Sequence, residues 1–206
     1  MPNPNPTPTR RTQAERRAET SAKLIEATIA ILSEHGYAQT SVKAICERAG
    51  LSHGALFGRF ATRLDLVVAA AAEVSRRQVD TFIEHVTHLP DTDDLAVVLP
   101  LLRETSRAAI NAVWAELLIA ARTDPELRGH LAPVSADYAR AMLDASERVP
   151  TMRRIPEDLR AGLVAVIINQ FSGDALARLP FPSDEADNRT MEVLVAMLST
   201  YRDSLL

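Results

Sequence analysis

The stretch AGLSHGALFGRF, residues 49–60, determines how the fold of this chain is interpreted. It contains three glycines in twelve residues, although helical periodicity precedes and follows it. A glycine inside a helix costs up to about 1 kcal/mol relative to alanine. If this stretch is a short helix, the missing side chains at Gly54 and Gly58 need another explanation, such as close approach of the backbone to a second molecule.

The residues before this stretch predict two helices. The first extends from about residue 12 to residue 35 and ends at Gly36, because apolar residues recur at three- and four-residue spacing within it. Thr40 and Ser41 are candidate N-caps of the second helix. Its predicted inward face consists of Val42, Ile45, Cys46 and Ala49.

The junction AGLS, residues 49–52, connects the second helix to a third. Gly50 stands where a left-handed residue ends a helix, and Ser52 is placed to cap the next one. Leu56 and Phe60 lie one turn apart in that third helix and are expected to anchor it. Short helices joined in this way form a helix-turn-helix unit.

The remainder of the chain is also predicted to be helical. A long helix covers 64–86, and Pro100 is expected to kink or split the helix that contains it. No stretch alternates as a strand would, so the predicted fold class is all-α. Further helices are predicted at about 94–106, 110–123, 125–149, 156–179 and 184–204.

Charge is distributed unevenly along the chain. Residues 1–63 hold nine Arg or Lys and five Asp or Glu, whereas residues 64–206 hold 14 and 22. A basic N-terminal part on an acidic body is what a polyanion-binding module requires. Residues 1–11, in which proline alternates with other residues before Arg10 and Arg11, are expected to form a disordered tail.

The composition also favours a cytoplasmic protein. The longest apolar run, 66–72, is too short to cross a bilayer, and the N-terminus lacks the apolar stretch of a signal peptide. The single cysteine, Cys46, excludes an intrachain disulfide and fits a reducing compartment. We therefore expect no membrane partner.

The helix-turn-helix interpretation gives the glycine-rich helix a role. The second helix of such a unit lies in the DNA major groove, with its N-terminal residues close to the bases. A side chain missing at Gly54 or Gly58 lets the backbone approach the duplex, and the free N–H groups of a helix N-terminus attract phosphate.

Residues 24–68 resemble the TetR family of transcriptional regulators. The resemblance rests on matches in fixed register: Gly36-Tyr37, Thr40-Ser41-Val42, Ala49-Gly50, Ser52, Gly54, Leu56, Phe60 and Leu66. It implies a helix-turn-helix domain at 12–63 and an effector-binding and dimerisation domain at 64–206. It also implies a homodimer on palindromic double-stranded DNA that responds to a small-molecule effector.

The resemblance also implies a set of DNA contacts. Thr40 would contact phosphate while capping the second helix, and Arg63 stands where the family usually has a phosphate-binding lysine. Phe57 lacks the hydroxyl of the family's tyrosine, and Gly58 stands where the family commonly has a larger residue. Both changes remove contacts, so base readout is expected to depend chiefly on Lys43, His53 and Arg59. The complete predicted set is Thr40, Lys43, Ser52, His53, Gly54, Ala55, Phe57, Arg59 and Arg63.

Aromatic and polar residues of the body are candidates for an effector pocket, with core packing as the alternative. Asn169, Gln170 and Asp174 lie in an apolar helix and need polar partners. The apolar body favours a hydrophobic or amphipathic ligand. The predicted pocket residues are Phe82, Trp114, Glu116, Tyr138, Met142 and Asn169. The resemblance places the last two helices in a dimer four-helix bundle.

Other chemistries have little support in the sequence. His85 and His88, near Asp91, Asp93 and Asp94, have spacing that suits either a metal or a helix C-terminus, and we predict no metal and no cofactor. There is no phosphate-binding loop and no Gly-x-Ser-x-Gly motif, so no catalytic residue is assigned and an enzyme is not expected.

The sequence thus predicts a ligand-responsive transcriptional regulator, expected to act as a repressor. Two alternatives stay open. One is an all-α ligand-binding protein or enzyme whose N-terminal helices serve only packing. The other is a DNA-binding regulator controlled by a protein partner instead of a small molecule.

Overall fold

The computed structural model describes residues 12–88 and 94–205, and its regular structure within these ranges is entirely helical. The predicted all-α class is therefore confirmed. The predicted disordered tail at 1–11, and the placement of Asp91 and Asp93, lie outside the described residues.

The helices follow one another with short connections. They are α1 Gln13–His35, the 3-10 turn η1 Tyr37–Gln39, α2 Val42–Ala49, α3 His53–Phe57, α4 Arg63–Thr87, α5 Leu95–Ser106, α6 Ala109–Ala121, α7 Pro125–Ser146, α8 Pro150–Arg153, α9 Glu157–Ala177 and α10 Asp184–Asp203. The described chain forms two compact units, one ending at Ala70 and the other beginning at Ala71. The division falls inside α4, so both units include part of this helix.

The first unit has its own apolar core, formed where α1, α2 and α3 meet the first turn of α4. Ile45 and Cys46 are buried in it and Val42 and Ala49 pack against it, as the periodicity of α2 predicts. Burial raises the pKa of the Cys46 thiol, which keeps this side chain a small apolar core group. The buried core residues are Leu24, Ala27, Ile31, Ile45, Cys46, Leu56 and Leu66.

Caps define the turn between α2 and α3. Gly50 has φ +64°, a left-handed conformation that side chains disfavour, and its N–H donates to the carbonyl of Glu47 at 3.3 Å. Ser52 caps α3, because the N–H of Ala55 donates to its Oγ at 3.2 Å. Both features agree with the sequence prediction. The cap of α2 is Ser41, whose Oγ accepts from the N–H of Ala44, so the prediction that Thr40 caps this helix is wrong.

The second unit packs its helices around two clusters of apolar residues. One joins α4, α5, α7, α8 and α9, and the other joins α5, α9 and α10. Pro100 does not split α5, which continues to Ser106. The helix predicted for 125–149 instead ends at Ser146, and the short helix α8 follows at Pro150, where proline fits the first helical turn.

Among the described helices, none has an apolar stretch long enough to cross a bilayer.

Candidate nucleic-acid interface and effector cavity

Helix α3 is held by one buried side and presents the other to solvent. Leu56 is completely buried in the core of the first unit, and Phe60, which follows the helix, packs against the same core. His53, Gly54 and Phe57 are exposed, and Phe57 is 52% exposed. The described part of the first unit therefore leaves the N-terminal front of α3 uncovered.

The two glycines of this face have different surroundings. A Cβ at Gly58 would lie 3.2 Å from the carbonyl oxygen of Gly54, so the protein itself disfavours a side chain there. Gly58 also lies beyond the end of α3, as its C-cap with φ −72°, so the predicted helix-interior cost does not arise at this position. A Cβ at Gly54 would meet only the Oγ of Ser52, at 3.8 Å, which is ordinary contact. Within the described residues, nothing requires the missing side chain at Gly54.

Two basic residues lie close to α3 in the chain, Lys43 exposed and Arg59 half-buried. The Lys43 side chain on α2 is 79% exposed, and its Nζ lies 3.9 Å from the Glu47 carboxylate. Arg59 directly follows the C-cap of α3, and its guanidinium has no hydrogen-bond or ion-pair partner among the described residues. Arg48, in contrast, is used to join α2 to α1, because it donates two hydrogen bonds to Glu34, at 2.5 and 2.8 Å.

Arg63 has internal partners. Its Nη2 donates to the Tyr37 hydroxyl at 2.8 Å, its Nη1 donates to the Thr40 carbonyl at 3.0 Å, and the guanidinium carbon lies 4.5 Å from the centre of the Tyr37 ring. Thr40 itself is fully buried, and its hydroxyl donates to the carbonyl of Gly36. The expected phosphate contact of the Thr40 side chain is therefore inconsistent with its position in this structure.

The second unit contains a cavity of about 350 Å³. Its wall includes five of the six predicted effector residues: Phe82, Trp114, Tyr138, Met142 and Asn169. Glu116, the sixth predicted residue, is absent from the lining of this cavity. Trp114 and Tyr138 lie beside each other, with ring centres 6.2 Å apart. Burial raises the pKa of Tyr138 to about 12, so its phenol stays uncharged.

Part of the cavity wall is polar, and the sequence analysis missed its residues. Gln78 of α4 donates through Nε2 to Oδ1 of Asn111 on α6, and Asn111 Nδ2 donates to the carbonyl of Thr105 at 2.6 Å. All three residues line the cavity. The sequence does mark two of these residues, because Gln78 is the single amide side chain of α4 and Asn111 is that of α6.

Arg107 also lines the cavity and connects three segments of the second unit. Its Nη2 donates to Asp174 of α9 at 2.7 Å and to Asp187 of α10 at 2.9 Å. Asp187 accepts a further hydrogen bond from Arg178. Asp174, which the sequence analysis left without an assigned partner, is therefore paired with Arg107.

The histidines considered as metal ligands have other surroundings. His85 Nδ1 lies 2.7 Å from the hydroxyl of Thr105, and both His85 and His88 are exposed. Within residues 12–88 and 94–205, no group of three or more histidine, cysteine, aspartate or glutamate side chains is arranged to hold a metal.

Comparison with known proteins identifies the family of this chain. Residues 24–70 match the family model "Bacterial regulatory proteins, tetR family". The chain is 40% identical over 190 residues to an uncharacterised HTH-type transcriptional regulator of Mycobacterium tuberculosis, covering 92% of this chain and 97% of that protein.

Two solved structures share the fold. The multidrug binding protein EbrR, complexed with imidazole, superimposes with a TM-score of 0.63 at 24% identity, covering 85% of this chain and 93% of EbrR. A transcriptional regulator of Saccharomonospora viridis in complex with choline gives a TM-score of 0.64 at 11% identity, covering 87% of this chain and 96% of that one.

Proposed function

Because this chain belongs to the TetR family of bacterial transcriptional regulators, we propose that it is a homodimeric repressor that a small-molecule effector releases from a palindromic operator. Its relatives are HTH-type transcriptional regulators, and this chain is likewise a DNA-binding regulator and not an enzyme. The observation that carries the proposal is the exposed front of α3, where Gly54 has room for a side chain but carries none. We expect the protein in the cytoplasm, where it can reach chromosomal DNA.

The proposed DNA surface combines close approach with a few charged contacts. His53, Gly54 and Ala55 form the first turn of α3. The N–H of Ala55 is used by the Ser52 cap, which leaves those of His53 and Gly54 to face a phosphate. Lys43 and Arg59 supply cations that no strong internal ion pair neutralises. Ser52 and Phe57 complete the face, whereas Arg63 acts mainly by holding Tyr37 and the backbone at Thr40.

The cavity of the second unit is the proposed effector site. It lies beside Trp114, has a predominantly apolar wall, and is within the size range of ligand pockets. The EbrR and Saccharomonospora structures are complexes with imidazole and choline, which supports a small-molecule site in this chain. A cavity of this kind supports control by a ligand over control by a protein partner alone.

Helix α4 is the proposed link between effector and DNA. Its first turns belong to the first unit, and its later residues Gln78 and Phe82 line the cavity. A ligand that prefers one position of this helix would change the spacing of the two recognition helices in a dimer. Half-sites must lie about 34–36 Å apart for both helices to bind, so a changed spacing lowers operator affinity.

The proposed dimer uses the outer faces of α9 and α10. Val166, Val193, Met197 and Tyr201 are all exposed, and the last three recur every four residues along α10. A stripe of this kind on one helix face is unfavourable in water unless another surface covers it. A second copy of the chain would cover it with the same stripe and give the two-fold symmetry that a palindrome requires.

The proposal can be tested on the full chain. Operator duplexes would first be selected by the protein from a random-sequence library, and binding then measured by fluorescence anisotropy at several salt concentrations. Lys43→Ala and Arg59→Ala are each expected to lower affinity. A lost phosphate contact reduces the slope of log K against log salt by about 1, whereas a lost base contact costs about 1–3 kcal/mol and relaxes the sequence preference.

Lys23→Ala is the matched control. Like Lys43, Lys23 is an exposed lysine of the first unit paired with a glutamate four residues away, but it lies on α1. This variant should bind like the parent, and all three variants should keep the parent's helical circular dichroism. The proposal would be contradicted if the selection enriched no DNA sequence, or if all three variants lost the same amount of DNA affinity.

A further inference from the structure

We propose that the cavity of the second unit selects an uncharged amphipathic ligand, whose hydroxyl or similar donor binds the side-chain carbonyl oxygen of Gln78. The apolar body of the ligand would lie against the aromatic and aliphatic wall around Trp114 and Met142. The inference deepens the proposed function, and it rests on that function only in calling this ligand the effector.

The hydrogen bonds around Gln78 leave one acceptor without a partner. Asn111 Nδ2 donates to the carbonyl of Thr105 at 2.6 Å, so the other amide atom of Asn111, its Oδ1, faces Gln78. Only the Nε2 of Gln78 can donate to that oxygen. This fixes the orientation of the Gln78 amide, and its Oε1 is buried with no hydrogen-bond partner among the described residues.

An unsatisfied buried acceptor is costly, so a ligand that satisfies it gains affinity. Leaving such a group unpaired costs about 1–3 kcal/mol. Gln78 lines the cavity, together with its partners Asn111 and Thr105. A ligand whose donor reaches Oε1 therefore recovers an interaction that the protein alone lacks, whereas a purely apolar ligand leaves Oε1 unpaired.

The charges of the wall argue against a cationic ligand. None of the described residues that line the cavity is an aspartate or a glutamate. A cation would therefore lose its hydration with only the neutral carbonyl of Gln78 and the aromatic faces of Trp114 and Tyr138 as compensation. Because Tyr138 stays protonated, it does not supply a negative charge either.

The same charges argue against an anionic ligand. Arg107 is the sole cation among the described lining residues, and the carboxylates of Asp174 and Asp187 both accept hydrogen bonds from it. These two carboxylates already neutralise the charge of the guanidinium, so an anion would gain little net attraction from it. An uncharged ligand avoids both penalties.

Four ligands of matched size test this inference on the unmodified protein. They are 1-octanol, its isomer heptyl methyl ether, octylammonium and octanoate, which differ in the donor or in the charge at one end. Binding would be measured without DNA, by calorimetry and by the emission of Trp114, which is the single tryptophan and lies in the cavity wall. We expect octanol to bind about three- to tenfold more tightly than the ether, because one neutral hydrogen bond is gained, and more tightly than either ion.

Two variants identify the acceptor. Gln78→Met keeps a side chain of similar length but removes the carbonyl, and should make octanol and the ether bind about equally. Ser146→Ala is the matched control, because Ser146 also lines the cavity but its hydroxyl already donates to the Leu143 carbonyl at 2.6 Å. This control should retain the preference for octanol. The comparison of ligands on the parent stays decisive even if Gln78→Met does not fold.

Each outcome either supports or overturns the inference. Tighter binding of octylammonium or octanoate, equal binding of octanol and the ether by the parent, or no binding by any of the four would overturn it. Adding selected operator duplex in a separate measurement keeps the two proposals distinct. Octanol that binds with the expected preference but leaves DNA affinity unchanged would support the ligand class and contradict its role as effector.

Discussion

At the scale of single residues, the arginines of the first unit divide into two groups. Arg48 and Arg63 are used inside the protein, the first by Glu34 and the second by Tyr37 and Thr40. Arg59 has no such partner among the described residues and remains available to a duplex. Charge alone does not separate these roles, because all three side chains are cations of the same kind.

Arg63→Lys is expected to reduce the free energy of unfolding by about 1–2 kcal/mol, because an ammonium cannot serve the Tyr37 hydroxyl and the Thr40 carbonyl while stacking on the ring. Urea denaturation followed by circular dichroism would measure the change. Arg59→Lys, at a site without internal partners, serves as the control and should change stability by less than about 0.5 kcal/mol. Equal stability of both variants would show that the Arg63 contacts contribute nothing.

At the scale of elements, α3 has five residues and depends on its neighbours for stability. A helix this short is unstable by propensity alone. Ser52 caps its N-terminus, Leu56 anchors it in the core, and the left-handed Gly50 sets the direction in which the chain enters it. With these three supports the helix can leave one face free of the protein.

Gly54→Ala and Gly50→Ala are expected to act in opposite directions on stability. Alanine fits at Gly54, so stability should rise by about 0.4–1 kcal/mol, while DNA affinity falls because the methyl group blocks close approach. At Gly50 the φ of +64° makes alanine cost about 1–2 kcal/mol. Thermal unfolding and anisotropy would measure both effects. Undiminished DNA binding by Gly54→Ala would refute the close-approach explanation.

At the scale of the whole molecule, α9 and α10 each contribute to the cavity unit and to an exposed face. Their inner sides carry Ile167, Phe171, Met191 and Leu198, which form a buried cluster with α5. Asp174 and Asp187 fix both helices to Arg107 at the cavity wall. The outer sides keep their apolar stripe in solvent, which the proposed dimer would cover.

Met197→Glu is expected to convert the dimer to a monomer in analytical ultracentrifugation. The Met197 side chain is 63% exposed at the centre of the stripe, where two symmetry-related carboxylates would repel each other within an apolar contact. Operator binding should weaken at least tenfold, since each monomer reads one half-site. Val97→Glu, an exposed apolar position on α5, is the control and should remain a dimer. If the parent is itself monomeric, the dimer proposal is wrong.

Local patterns were sufficient to predict much of this protein. The cap Ser52, the left-handed Gly50 and the inward face of α2 all depend on residues a few positions apart in the chain. Such short-range preferences are visible without knowledge of the packing. They indicated an all-α chain with a helix-turn-helix and led to the correct family.

Contacts between residues distant in the chain decided the features of the fold and of the two sites that local patterns could not predict. Tyr37 and Arg63 are 26 positions apart, and Gln78 and Asn111 are 33 positions apart. Whether a cation faces solvent, whether an amide oxygen is left without a partner, and whether Glu116 reaches a cavity all depend on how whole helices pack. No short-range preference encodes these relations, because each requires two helices to be in place before the side chains can meet.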